Sequence, residues 1–131
     1  RLANYFAVTD RKASTHAVCD SDSLWECVHD WDVAYGASGA NRHGLHIEIA
    51  GYAEQTAAQW ADPFSEAALR IAAKWCRDKA ARYSIPVAFL DAAALKAGRR
   101  GFTTHREVEK AWPSTGHVDP GANFPMAHTV S

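Results

Sequence analysis

The stretch from Asp62 to Leu90 constrains the fold of this chain more than any other. Asp62-Pro63 reads as an N-cap followed by proline at the first helical position. From Phe64 to Tyr83, Leu69, Ala72, Ala73, Cys76, Ala80 and Tyr83 recur at helical spacing, while Lys74, Arg77, Asp78 and Arg82 form the solvated face. A helix this long must lay its apolar face on another element, and the neighbouring sequence supplies strands to receive it. On its N-terminal side, His43 to Tyr52 (HGLHIEIAGY) alternates Leu45, Ile47 and Ile49 with His46, Glu48 and Ala50. That is the period of a strand, and its second face carries a histidine and a carboxylate. On its C-terminal side, Ile85 to Leu90 is short, apolar and strand-like, with Pro86 at its edge.

The rest of the chain fits the same class. Ser14 to Cys19 and Leu24 to Val28 read as a β-hairpin closed by Asp20-Ser21-Asp22-Ser23, residues that bond to their own backbone. Leu2 to Ala7 reads as the end of an amphipathic helix, Asp32 to Arg42 as a loop, and Gln55 to Trp60 as a connector. Asp91 to Ala97 is expected to be a short helix capped by Asp91 and stopped by Gly98. Phe102 to His105 is a strand candidate, and Arg106 to Trp112 a helical turn or two ended by Pro113. The expectation is a mixed α/β sheet flanked by helices, in a single domain over residues 1–131.

Charge and cysteine usage exclude several functions. A net charge of -1 offers no phosphate-tracking surface, so nucleic acid is not an expected partner. The apolar runs are too short to insert in a membrane, and no signal peptide is visible. The three cysteines form no CxxC pair, and an odd count argues against a disulfide framework.

The chemistry concentrates at His105 to Pro125 (HREVEKAWPSTGHVDPGANFP). Asp119 precedes a Pro-Gly turn that holds its carboxylate on stiff backbone, because proline fixes φ and glycine accepts the bend. His117 lies two residues before it, and His105, fourteen residues earlier, is placed to reach the same point. Histidines and a carboxylate are the donors of a catalytic zinc site, which takes three protein ligands and keeps a fourth position open. With His16, His46 and Glu48, these residues make a plausible zinc hydrolase.

The order GLHIEIAGY, a long helix, IPVAFLDAAAL, GFTTH and GHVDPGANFP resembles the zinc-dependent N-acetylmuramoyl-L-alanine amidases of the type-2 amidase and peptidoglycan-recognition-protein superfamily. The nearest likeness is to the amidase domains of endolysins from phages of mycobacteria and related actinobacteria. The resemblance covers nearly the whole chain. It implies zinc ligation by His105 and Asp119, a general base at Glu48, and a His117 that stabilises the developing oxyanion rather than binding metal. It places His16 on a strand near the site, as a fallback ligand, and a substrate groove at His16, His46 and Asn41.

The substrate so implied is the amide between N-acetylmuramic acid and L-alanine in bacterial peptidoglycan. Zinc acidifies water and polarises a carbonyl, a carboxylate shuttles the proton, and a hydrogen-bonding group meets the oxyanion. An endolysin would be made in the host cytoplasm and reach the wall through holin lesions, acting as an antimicrobial.

The sequence also departs from the family. The opening strand, with its first histidine ligand, would lie upstream of Arg1, so an N-terminally incomplete sheet is expected, with a complementary fragment as a partner. Tyr35-Gly36 stands where relatives carry Trp-His, Thr15 where some carry tyrosine, and His46 where glycine is usual. The competing expectation is a module that binds muropeptide without a complete zinc site.

Overall fold

The computed structural model describes residues 13–114 and 116–126. The helix end expected over Leu2 to Ala7 lies outside them. Three short strands form one sheet in the order β2-β1-β3. β1 (Ala17–Cys19) and β2 (Leu24–Glu26) are the expected hairpin, antiparallel, with Val18 opposite Trp25. The Asp20 carboxylate closes it by accepting from the N–H groups of Asp22 and Ser23 at 3.0 and 2.9 Å. β3 (Ile47–Ile49) runs parallel to β1, with Glu48 opposite Val18.

Directly paired residues share a sheet face. Ala17 and Cys19 therefore share one face with Ile47 and Ile49, and Val18 shares the other with Glu48. The first face is covered by a long helix. The Cys19 thiol reaches the Ala68 carbonyl at 3.7 Å, and Ala68, Leu69, Ala72 and Ala73 are buried. Burial of Leu69 alone contributes roughly 1.5–3 kcal/mol. Glu48 therefore sits on the side of the sheet away from this helix.

Four helices are described. α1 (Ala57–Trp60) falls where the sequence suggested only a connector. Thr56 and Gln59 form a reciprocal capping box there. α2 (Pro63–Tyr83) is the expected long helix, with Asp62 accepting from the Ser65 N–H and Pro63 at its start. Its buried side also takes in Trp75, whereas Tyr83 is exposed. α3 (Ala92–Lys96) is capped by Asp91 as expected, and Gly98 follows at φ 75°.

The two outlying strand candidates shrink to one parallel bridge, Phe89 with Phe102. His105 does not end a strand. It opens α4 (His105–Ala111), with Thr104 as N-cap accepting from the Glu107 N–H. Among the described residues no helix is long and apolar enough to cross a membrane.

Candidate functional site

Two backbone features bring the tail onto the start of α4. The Arg106 N–H donates to the Asp119 carbonyl at 2.8 Å. Gly121, at φ 87°, lies so close to the Ala53 carbonyl that a Cβ there would collide with it. Only glycine fits that approach, so the Asp119-Pro120-Gly121 turn, whose Asp119–Pro120 bond is cis, is seated on the loop that follows β3. Farther along, Asn123 donates to the Gln55 carbonyl at 3.2 Å, and Phe124 meets buried Trp60 edge-on with centroids 5.0 Å apart. The loop before His117 is held as well. Its Ser114 and Gly116 N–H groups donate to the Glu109 carboxylate at 2.8 and 2.6 Å.

The result is a convergence of His105, His117 and Asp119. One donor atom from each lies within 4.8 Å of the other two. His105 Nδ1 is 3.3 Å from Asp119 Oδ2, and His117 Nδ1 is 3.6 Å from Asp119 Oδ1. The two imidazoles stack with centroids 4.4 Å apart. Two histidines and a carboxylate are a donor set that suits zinc, and their spacing fits a single small cation. The contact with Asp119 raises the His105 pKa, with burial opposing it. The same contact holds the Asp119 carboxyl below the usual carboxylate range against the opposing effect of burial.

Glu48 belongs to the same electrostatic neighbourhood. Its residue surface is exposed, yet enough protein crowds the carboxyl to push its pKa up. The negative charge of Asp119 adds to that rise and His105 opposes it. A carboxyl held above its ordinary range is a better proton acceptor and carrier near neutrality.

His16, His46 and Asn41 serve the scaffold. His16 is 2% exposed, and both its ring nitrogens are engaged. Nδ1 accepts from the His46 N–H at 3.0 Å, which leaves Nε2 to donate to the Asp32 carbonyl at 2.9 Å. It is therefore neither a free fallback ligand nor a groove surface. The His46 ring stacks on His16, and burial, helped by the charges of His16 and His105, pushes its pKa down to about 4. Its Nε2 is buried without a hydrogen-bond partner among the described residues. Asn41 accepts from the Gly36 and Ala37 N–H groups at 3.1 and 2.8 Å, which fixes its own loop. Thr15 likewise donates to the His46 carbonyl at 2.9 Å.

Comparison with known proteins bears on the family and the fold. A family profile for N-acetylmuramoyl-L-alanine amidases matches residues 2–122. The fold is similar to that of the Staphylococcus aureus hydrolase AmiA, solved in complex with its ligand, with a TM-score of 0.65. Identity is 22%, over 89% of this chain and 50% of that one, so this chain spans half the length of that structure. A search of curated proteins found no match. From the family match and the shared fold, the chain belongs to the N-acetylmuramoyl-L-alanine amidase family.

Proposed function

We propose that this chain hydrolyses the amide between N-acetylmuramic acid and L-alanine in peptidoglycan, with zinc as cofactor. The observation that carries the reading is the 3.3 Å approach of His105 to Asp119 in the neighbourhood of Glu48. His105 and Asp119 would hold the metal. Once bound, zinc supplies an acidified water and a polarised carbonyl.

The chain's own residues do the rest. Glu48 takes a proton from the attacking water as the new C–O bond forms. It returns that proton to the leaving nitrogen as the C–N bond breaks, so the products are a lactyl carboxylate and a free L-alanine amine. Its raised pKa suits both steps, since the group must accept and then release a proton.

The same activity fits a phage endolysin acting on the wall of its host. Purified muropeptide incubated with the chain and zinc tests the reading. A new L-alanine amino terminus with Glu48-dependent appearance supports it. Binding of muropeptide without any such product would point to a recognition module instead.

A further inference from the structure

We infer that Trp31 is a second contact with the cell wall, a platform on which a neutral glycan strand of β-linked N-acetylhexosamines lies, apart from the metal site. The identity of the ligand rests on the peptidoglycan reading above.

Three observations carry it. The first is an exposed ring on a fixed loop. Among the described residues Trp31 is the most exposed of the large hydrophobic side chains, at 76%. Its loop is nevertheless tied down on both sides. Asp30 is held by Lys79 and Tyr83 of α2, each at 2.6 Å. The Asp32 carbonyl accepts from His16 at 2.9 Å, and the Asp32 N–H donates to the His29 carbonyl at 3.0 Å. His29 stacks on one face of the indole, with centroids 4.4 Å apart and planes 8° apart, so the other face is the one left to solvent. Apolar ring left in water is unfavourable, and a ring already fixed loses little freedom when a ligand covers it.

The second is the ground on either side. Trp31 is the ridge between two grooves. The larger, of about 330 Å³, lies between the end of β2 and the last turns of α2, with Glu26, Cys27 and Arg82 on its walls. The smaller, of about 170 Å³, has Asp32 and Arg42 on its walls. Neither includes Glu48 or a residue of the metal site. Lys79 and Asp30 neutralise each other, which leaves each groove one carboxylate and one guanidinium and no formal net charge.

The third is the match of chemistry. A β-linked hexopyranose has a flat face of axial C–H bonds, which lies on the negative face of an indole. Its hydroxyl and acetamido groups stand around the rim and need donors and acceptors. Arg82 and Arg42 supply donors, and Glu26 and Asp32 supply acceptors, one of each per groove. In the wall the lactyl carboxyl is held in the amide, so the glycan is neutral, as the grooves are. A stem peptide ends in a free carboxylate, which balanced grooves do not favour. A ridge with a groove on each side suits a strand longer than one sugar.

The test adds chitotetraose, a peptide-free tetramer of β-linked N-acetylglucosamine, to the whole chain. Cys27 is exposed and lines the larger groove, so its rate with an aromatic disulfide reagent reports occupancy there. The dependence of that rate on tetramer concentration gives the affinity. Wild type is compared with Trp31→Ala and with Trp31→Tyr, which keeps an aromatic face. Each is also assayed for cleavage of a short soluble muropeptide and of intact cell wall.

The tetramer should slow the Cys27 reaction in wild type. Trp31→Ala should bind it roughly tenfold more weakly, and Trp31→Tyr should keep most of the affinity. Trp31→Ala should cleave the short muropeptide as fast as wild type and intact wall more slowly. An unchanged Cys27 rate in wild type, equal affinity in Trp31→Ala, or equal protection of Cys27 by a sugar-free stem peptide overturns the inference and leaves the amidase reading standing. Glycan binding through Trp31 by a chain that cleaves no muropeptide keeps the inference and overturns the amidase reading.

Discussion

Acid should destabilise this protein through His46, a residue that touches no substrate in the proposed reaction. Its pKa is pushed down to about 4 from an ordinary 6.5, first by burial and then by the charges of His16 and His105. The sign follows from linkage. Between those two values the unfolded chain takes up a proton that the folded chain refuses, so stability falls as pH falls. The contribution is complete above about pH 6.5 and gone near pH 4. A gap of about 2.5 pH units, at about 1.4 kcal/mol each, corresponds to about 3 kcal/mol. That is a large share of the stability of a small domain.

Urea denaturation at neutral pH and at about pH 4 measures it, with His46→Gln as the control that cannot titrate. Other groups, including Glu48 with its opposite sign, act in both proteins and largely cancel in the difference. Wild type should lose about 3 kcal/mol more than His46→Gln over that interval. Parallel losses in the two proteins would refute the reasoning and show that the His46 ring is protonated in the fold at little cost.

Other outcomes follow from particular contacts. Asp30 accepts from Lys79 and from the Tyr83 hydroxyl, each at 2.6 Å, with Lys79 and Asp30 largely buried. Asp30→Ala should therefore cost about 2–3 kcal/mol in chemical denaturation. Burial pushes the Asp30 carboxyl up, but these two bonds together with the charges of Lys79 and His16 outweigh it and hold it below the usual range. Its stabilisation should then be full above about pH 4 and lost as pH falls further, visible as a smaller acid sensitivity in the alanine variant. Gly121→Ala should move the Asp119 turn off Ala53 and weaken zinc binding at least tenfold in a chelator competition. Burial pushes the Cys19 thiol up to about 12 and Cys76 to about 11, while Cys27 is exposed. In native protein one thiol should react quickly with an aromatic disulfide reagent, and three in denaturant.

The elements legible in the sequence were those fixed by local chemistry. Asp62-Pro63 and Asp91 cap helices where their residue types say they should. The alternation through Ile47, Glu48 and Ile49 placed Glu48 on the face away from the apolar pair, and the sheet keeps it there. The Pro-Gly turn brought Asp119 to His105 because the turn is stiff and glycine alone fits against Ala53.

Elements that depend on long-range pairing are not legible in the same way. Ile85 to Leu90 and Phe102 to His105 are apolar enough for strands, yet only Phe89 and Phe102 pair. Thr104 and Glu107 carried the missed signal, since a threonine three residues before a glutamate is a helix-start pattern that takes His105 into α4. Thr56 and Gln59 carry a similar signal for α1. The role of His16 was not legible at all. Its two bonds, to the His46 N–H and the Asp32 carbonyl, join positions 30 and 16 residues away. Nothing in the spacing of histidines tells a buried, doubly bonded ring from a ligand.

The most direct test of the central claim is mass analysis of purified muropeptide after incubation with the metal-loaded chain, run beside Glu48→Gln loaded to the same zinc content. Wild type should release a peptide with a free L-alanine amino terminus, and Glu48→Gln should lose that product with zinc binding retained. An intact lactyl-alanine amide after exhaustive incubation, or equal release by Glu48→Gln, would contradict it.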